Sequence, residues 1–96
     1  MTEVRYRNSR NRHELEITGH HADRVACAGI SSIAWALAGS AANVSEIDDL
    51  VMEDGYIHIC VGDRGKTGKA LYNFFFMAYI GLRQIELEYP GTISFK

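Results

Sequence analysis

The chain has 96 residues, 47% of them hydrophobic, with a single proline and a net charge of -2. That length holds material for one hydrophobic core, so a single domain over residues 1–96 is expected, and the composition excludes a disordered or linker-rich chain. The charge balance predicts no direct nucleic-acid partner, and the longest apolar run of the C-terminal half, Phe74 to Ile80, falls far short of the ~20 residues of a membrane span.

The chain opens on Thr2, Glu3 and Arg5, not on a basic stretch leading into an apolar run, so no signal peptide is visible and the cytoplasm is the expected compartment. Cys27 and Cys60 fall in predicted elements of different type; the spacing neither requires nor forbids a disulfide between them. Glu3 to Arg7 and His13 to Thr18 alternate apolar and polar residues and predict two strands, with Val4, Tyr6, Leu15 and Ile17 facing inward. Asn8 to Asn11 supplies the polar turn between them. Arg5, Arg7, Arg10 and Arg12 then lie on the solvent face of this hairpin, either as plain solvated surface or as a basic docking patch.

From Val25 to Leu37 the apolar residues recur at three and four, which is helical spacing, and Gly39-Ser40 is read as the stop. Ile47 to Met52 and Tyr56 to Val61 read as two strands joined at Glu53-Asp54-Gly55, where Asp-Gly is the turn signal. Gly62 to Gly68 is a polar loop; it ends like a phosphate-binding loop but has Cys60 where that motif needs glycine. Arg64, Lys66 and Lys69 are candidates to line a peptide-binding edge. A second helix runs from about Lys69 to Gln84, apolar on nearly every side and so covered on more than one face, by the sheet and by a partner chain. Pro90-Gly91 turns into a last strand, Thr92 to Phe95. The order β-β-α-β-β-α-β makes an α+β domain, a mainly antiparallel sheet carrying two helices.

The chemistry concentrates between Gly19 and Ser31. His20 and His21 follow a strand end, and Cys27 falls in the first turn of a helix. Unpaired N–H groups and the positive end of the helix dipole favour a thiolate there, and a neighbouring imidazole can take its proton. The same N–H groups are candidate donors to an oxyanion. Against this stands the bland alternative, a small core cysteine among alanines beside polar surface histidines. The histidines and cysteines show no recognised metal-ligand spacing, so neither metal nor cofactor is expected.

Ile17-Thr18-Gly19-His20 followed by Cys27-Ala28-Gly29-Ile30-Ser31 resembles the signature of the ribosomal-processing cysteine proteases, a bacterial family with Gly-His at a strand end and Cys-Ala-x-x-Ser opening the first helix. The resemblance runs on through the central hairpin to Gly81-Leu82 and Tyr89-Pro90. It implies a homodimeric α+β cysteine endopeptidase that cuts the N-terminal extension of a large-subunit ribosomal protein after paired aromatic residues. His20 matches the catalytic histidine, Cys27 the nucleophile and Ser31 a serine one helical turn on, placed to orient thiol or substrate.

One departure bears on activity. The family's connection from histidine to cysteine is longer, with aspartate three residues before the cysteine; here six residues intervene and Arg24 takes that position, Asp23 standing one step earlier. The short connection lets either His20 or His21 face sulfur, with Asp23 as a candidate to orient one of them. It also motivates a rival expectation, a dimeric peptide- or ribosome-binding module that keeps the fold without the catalysis.

Overall fold

The two stretches of period-two patterning at the start of the chain form the centre of the sheet. In the computed structural model, which describes residues 1–9, 11–19, 23–62 and 65–96, β1 (Thr2–Asn8) runs antiparallel to β2 (Arg12–Thr18), with Val4 opposite Ile17 and Tyr6 opposite Leu15. Arg10 lies outside the described residues. β3 (Asp49–Glu53) and β4 (Tyr56–Gly62) form a second hairpin, with Glu53 opposite Tyr56, so that Asp54 and Gly55 alone make the turn. Gly55 takes φ 82°, a conformation open to glycine at little steric cost. β4 also pairs antiparallel with β2, and the short β5 (Ile93–Phe95) lies parallel to β1. The order across the sheet is β3-β4-β2-β1-β5, which is the α+β architecture expected from the sequence.

The first helix differs from its sequence reading. α1 spans Arg24–Val44 and passes through Gly39 and Ser40. Burial overrides propensity here: Ala34, Leu37, Ala38 and Ala41 continue one core-facing stripe across the glycine. Gly39 sits on the outer side, where a Cβ would meet nothing within 4 Å. The helix ends instead at Ser45, whose N–H donates to the Ala41 carbonyl. α1 is long and apolar enough to cross a membrane by length and composition, but its buried stripe packs in the core of this domain. Likewise β3 starts at Asp49, not Ile47; Ile47 packs against the core ahead of the strand, and the Asp48 carboxylate accepts from the Gly62 N–H.

α2 (Gly68–Glu88) follows a 3-10 turn at Gly65–Thr67 and runs a turn past Gln84. It packs on α1 through reciprocal glycine contacts: Gly29 faces Ile85, and a Cβ on Gly81 would come within 2.9 Å of Ile33 Cδ1. The pairings 29 with 85 and 33 with 81 make the helices antiparallel. The three consecutive phenylalanines divide as helical geometry demands. Phe75 is fully buried with Leu71 and Leu82, Phe74 is half-buried, and Phe76 is exposed beside Tyr72, Met77 and Ile80. Val4, Leu15 and Ile17 are buried as expected, and Tyr6 is half-buried, stacked on Tyr79 at 4.4 Å. His13, in phase with Leu15 and Ile17, is buried too, against Phe75 and with Nδ1 at 2.6 Å from Asn8 Oδ1.

Both helices cover one face of the sheet; the other carries its charges. Arg5 pairs with Glu16 at 3.8 Å and Arg12 with Glu14 at 3.5 Å, exposed ion pairs worth at most about 1 kcal/mol each. His58 lies between the carboxylates of Glu14, at 2.5 Å, and Asp49. Desolvation pulls its pKa down, yet hydrogen bonds to both carboxylates outweigh that and leave it raised, while Glu14 is lowered by the hydrogen bond to His58.

The turn into β5 is held by one carboxylate. Glu86 accepts from the N–H groups of Gly91 (2.9 Å) and Ile93 (2.7 Å) and from the Thr92 hydroxyl (3.0 Å), and these bonds hold its pKa below the ordinary carboxylate range. A folded-state pKa below the unfolded one contributes stability that is present above the unfolded value and lost as pH falls through the folded one. For His58 the sign reverses: its contribution is full below the unfolded imidazole pKa and lost as pH rises through the raised folded value. Thermal unfolding followed against pH is therefore expected to show a maximum between these limits. Glu86→Gln flattens the acid side and His58→Ala the alkaline side; unchanged profiles in both variants would contradict these assignments.

Candidate active site

β2 ends at Thr18, and the backbone then turns at Gly19, with φ 97°. A side chain is excluded there twice over, by that conformation and because a Cβ would meet the Met1 carbonyl oxygen at 2.8 Å. The Gly19 N–H donates to the Gly55 carbonyl at 2.9 Å and so ties the end of β2 to the tip of the β3–β4 hairpin. His20, His21 and Ala22 lie outside the described residues. Asp23 is the N-cap of α1, and its Oδ1 accepts from Val25 N at 2.9 Å and Ala26 N at 3.1 Å. Aspartate ahead of an apolar-periodic run is a helix-start signal, and a cap of this kind stabilises a helix by about 0.5–2 kcal/mol.

This cap corrects one expectation. The N–H groups of Val25 and Ala26 are engaged by Asp23 Oδ1, and that of Cys27 donates to the Asp23 carbonyl at 3.1 Å. These three first-turn groups are committed to the helix start and do not offer themselves to an oxyanion. Whether Asp23 also orients a histidine concerns residues outside those described.

Cys27 lies in the first turn of α1, as expected, half-buried and not joined to Cys60 by a disulfide. Cys27, Ser31 and Trp35 stand four residues apart and form one stripe along the helix. The stripe lines a cleft of about 320 Å³ whose other walls are Ile17 and Gly19 from the end of β2, and Met52 to Ile57 from the second hairpin. The cleft presents polar and apolar surface in equal measure, with Ile30, Trp35, Met52 and Ile57 among its apolar lining and Glu53 and Asp54 at the hairpin. Trp35 is 61% exposed, a large ring held at the mouth with no protein surface over most of it.

Of the residues singled out in the sequence, the structure brings Cys27 and Ser31 together in one cleft and sets Asp23 at the helix cap; His20 and His21 lie outside the description. Gly19, which immediately precedes His20 in sequence, lines that cleft. Sequence reasoning passed over Trp35 and Met52 as site residues and took Tyr56 as ordinary amphipathic packing. The i+8 spacing of Trp35 from Cys27 was an available signal; the hairpin's proximity was not, because it depends on the tertiary arrangement. Tyr56 lines the cleft and donates to Glu16 at 2.8 Å, so it is more than packing. Lys66 and Lys69 stand at the start of α2, away from this cleft, and Arg64 lies outside the described residues.

The five-stranded mixed sheet with two helices on one face is a fold that this chain shares with solved structures. An essential ribosomal processing protease, Prp from S. aureus, in complex with a substrate peptide matches over 100% of this chain and 98% of its own, at TM-score 0.78 and 19% identity. The same protease with a covalently linked product peptide matches at TM-score 0.76 and 19% identity, over 99% of this chain and 95% of its own. A hypothetical protein from S. aureus shares the fold at TM-score 0.67 and 16% identity, over the full length of both chains. No family model matches the sequence, and none of the curated proteins compared with it matches.

Proposed function

We propose that this chain is a cysteine endopeptidase of the ribosomal-processing family, acting in the cytoplasm as a homodimer on the N-terminal extension of a large-subunit ribosomal protein. The observation that carries the reading is the Cys27–Ser31–Trp35 stripe facing the β3–β4 hairpin across a peptide-sized cleft. It is supported by the end-to-end fold match to a protease held with substrate and product peptides. The exposed apolar side chains Tyr72, Phe76, Met77 and Ile80 on α2 support a second copy as partner.

In this reading the Cys27 thiolate attacks the substrate carbonyl, and a thioester forms as the C–N bond breaks. His20, having taken the thiol proton, returns it to the leaving amine; water then hydrolyses the thioester. Ser31, one turn along the same face, orients the thiol or the peptide. His21 is the alternative base. A peptide copying the ribosomal extension, incubated with His20→Ala and His21→Ala proteins, decides between them. His20→Ala is expected to lose cleavage and His21→Ala to retain it within about ten-fold. Retention by both single variants and by the double variant would remove either histidine as base.

The second reading, a peptide- or ribosome-binding module without catalysis, draws on the Asp23 cap, which engages first-turn N–H groups that an oxyanion would need. It predicts peptide binding with no cut in any variant.

A further inference from the structure

We propose that the outer edge of β3 binds an extended peptide as an added strand, selecting one whose side chains alternate apolar and basic, and leads it into the Cys27 cleft. The leading of peptide to Cys27 rests on the protease reading above; the strand addition does not.

β3 ends the sheet: among the described residues β4 is its sole strand neighbour, so its other edge presents backbone groups that an incoming strand can pair with. Its alternate residues face two different surroundings. Leu50 and Met52 lie opposite Ile59 and Ile57, on the helix side of the sheet, where Met52 packs against the core and Leu50 lies open. Leu50 is 47% exposed there, and Met52 shares the cleft wall with the exposed Trp35. On the other side of the sheet Asp49 and Glu53 lie opposite Cys60 and Tyr56.

The charge here is one-sided. Glu46, Asp48, Asp49, Glu53 and Asp54 crowd β3 and its ends, while no lysine or arginine occurs between Arg24 and Arg64. Asp48 accepts from Gly62 N–H and Asp49 pairs with His58, which leaves the exposed Glu53 as the carboxylate best placed for a partner. Glu53 also lines the cleft that holds Cys27. A strand added to β3 therefore meets Leu50, Met52 and Trp35 with one set of side chains, and with the other a face that carries the carboxylates of Asp49 and Glu53 on either side of Val51. Period two in the sheet becomes period two in the ligand.

The test uses the Cys27→Ala protein, so that binding is read apart from cleavage. The probe is a fluorescein-labelled, end-capped peptide of about eight residues in which lysine alternates with valine, followed by anisotropy. Two further peptides carry N-methyl groups on alternate residues, one set on the lysines and the other on the valines. Strand addition uses the N–H groups of every second residue, so one methylated peptide is expected to lose binding and the other to keep it. Replacing the lysines by glutamate is expected to weaken binding, and Glu53→Lys to weaken the lysine peptide roughly five-fold. Trp35→Ala is expected to weaken it on the order of thirty-fold, as an exposed aromatic anchor would. Equal binding of both methylated peptides, equal binding of the glutamate peptide, or no binding of the parent peptide would each overturn the proposal. Failure of cleavage alone, with these binding results intact, would count against the protease and leave the strand addition standing.

Discussion

Cys27→Ala is expected to abolish peptide cleavage while leaving thermal unfolding within about 1 kcal/mol of the parent. The activity loss follows from the proposed role: a thiolate that forms the bond to the acyl group has no substitute in alanine, so the drop should be at least roughly a thousand-fold. Cys60 cannot stand in. It lies on β4 facing away from the helices, is 5% exposed, and burial pushes its thiol pKa up. The small stability effect follows from position, since Cys27 is half-buried at a cleft wall and alanine fits a helix first turn at no cost in propensity. Alkylation with mass mapping gives an independent reading: the parent should label at Cys27 in preference to Cys60. Cleavage surviving in Cys27→Ala would remove the nucleophile from the account.

Phe75→Ala is expected to cost about 3–5 kcal/mol. Phe75 is 0% exposed at the centre of α2, packed with Leu71 and Leu82 and against the ring of His13 at 5.6 Å between centroids. Deleting the ring loses its transfer free energy and opens a cavity in the core cluster that it shares with the fully buried Leu15, Ile59 and Val61, where there is little room to collapse. A domain of this size has about 5–15 kcal/mol in all, so the variant should melt more than ~12 °C lower. Phe76→Ala, one residue on and 46% exposed, is expected to cost under about 1 kcal/mol. Similar melting of the two variants would contradict the assignment of faces on α2.

The contrast between Phe75 and Phe76 also marks where sequence reading stops. The Phe74-Phe75-Phe76 run shows an apolar helix but not which ring is core, because that depends on where the sheet lies. Period-two strands were legible because a half-buried strand has to alternate, and Val4, Leu15 and Ile17 went inside accordingly. The Asp54-Gly55 turn was legible because the positive φ at Gly55 needs glycine. The end of α1 was not: Gly39-Ser40 looks like a stop locally, and the helix passes through it because Ala38 and Ala41 are buried beyond. At the site, Cys27 and Ser31 share a helix face by spacing alone, and the structure gives them a common cleft. The second wall, Met52 to Ile57, is distant in sequence and reaches Gly19 through the bond to Gly55. Nothing local to Cys27 carries that information. Asp23 was legible as a helix cap from its place before an apolar run; its proximity to the histidines in sequence drew attention to a different role.

The measurement that bears most directly on the account is mass spectrometry of the parent protein mixed with a peptide copying the ribosomal extension. A single cut after the paired aromatic residues, with a transient acyl adduct mapping to Cys27, is the predicted result. Intact peptide beside unmodified protein, with the peptide nonetheless bound, would contradict the protease and assign this fold to recognition alone.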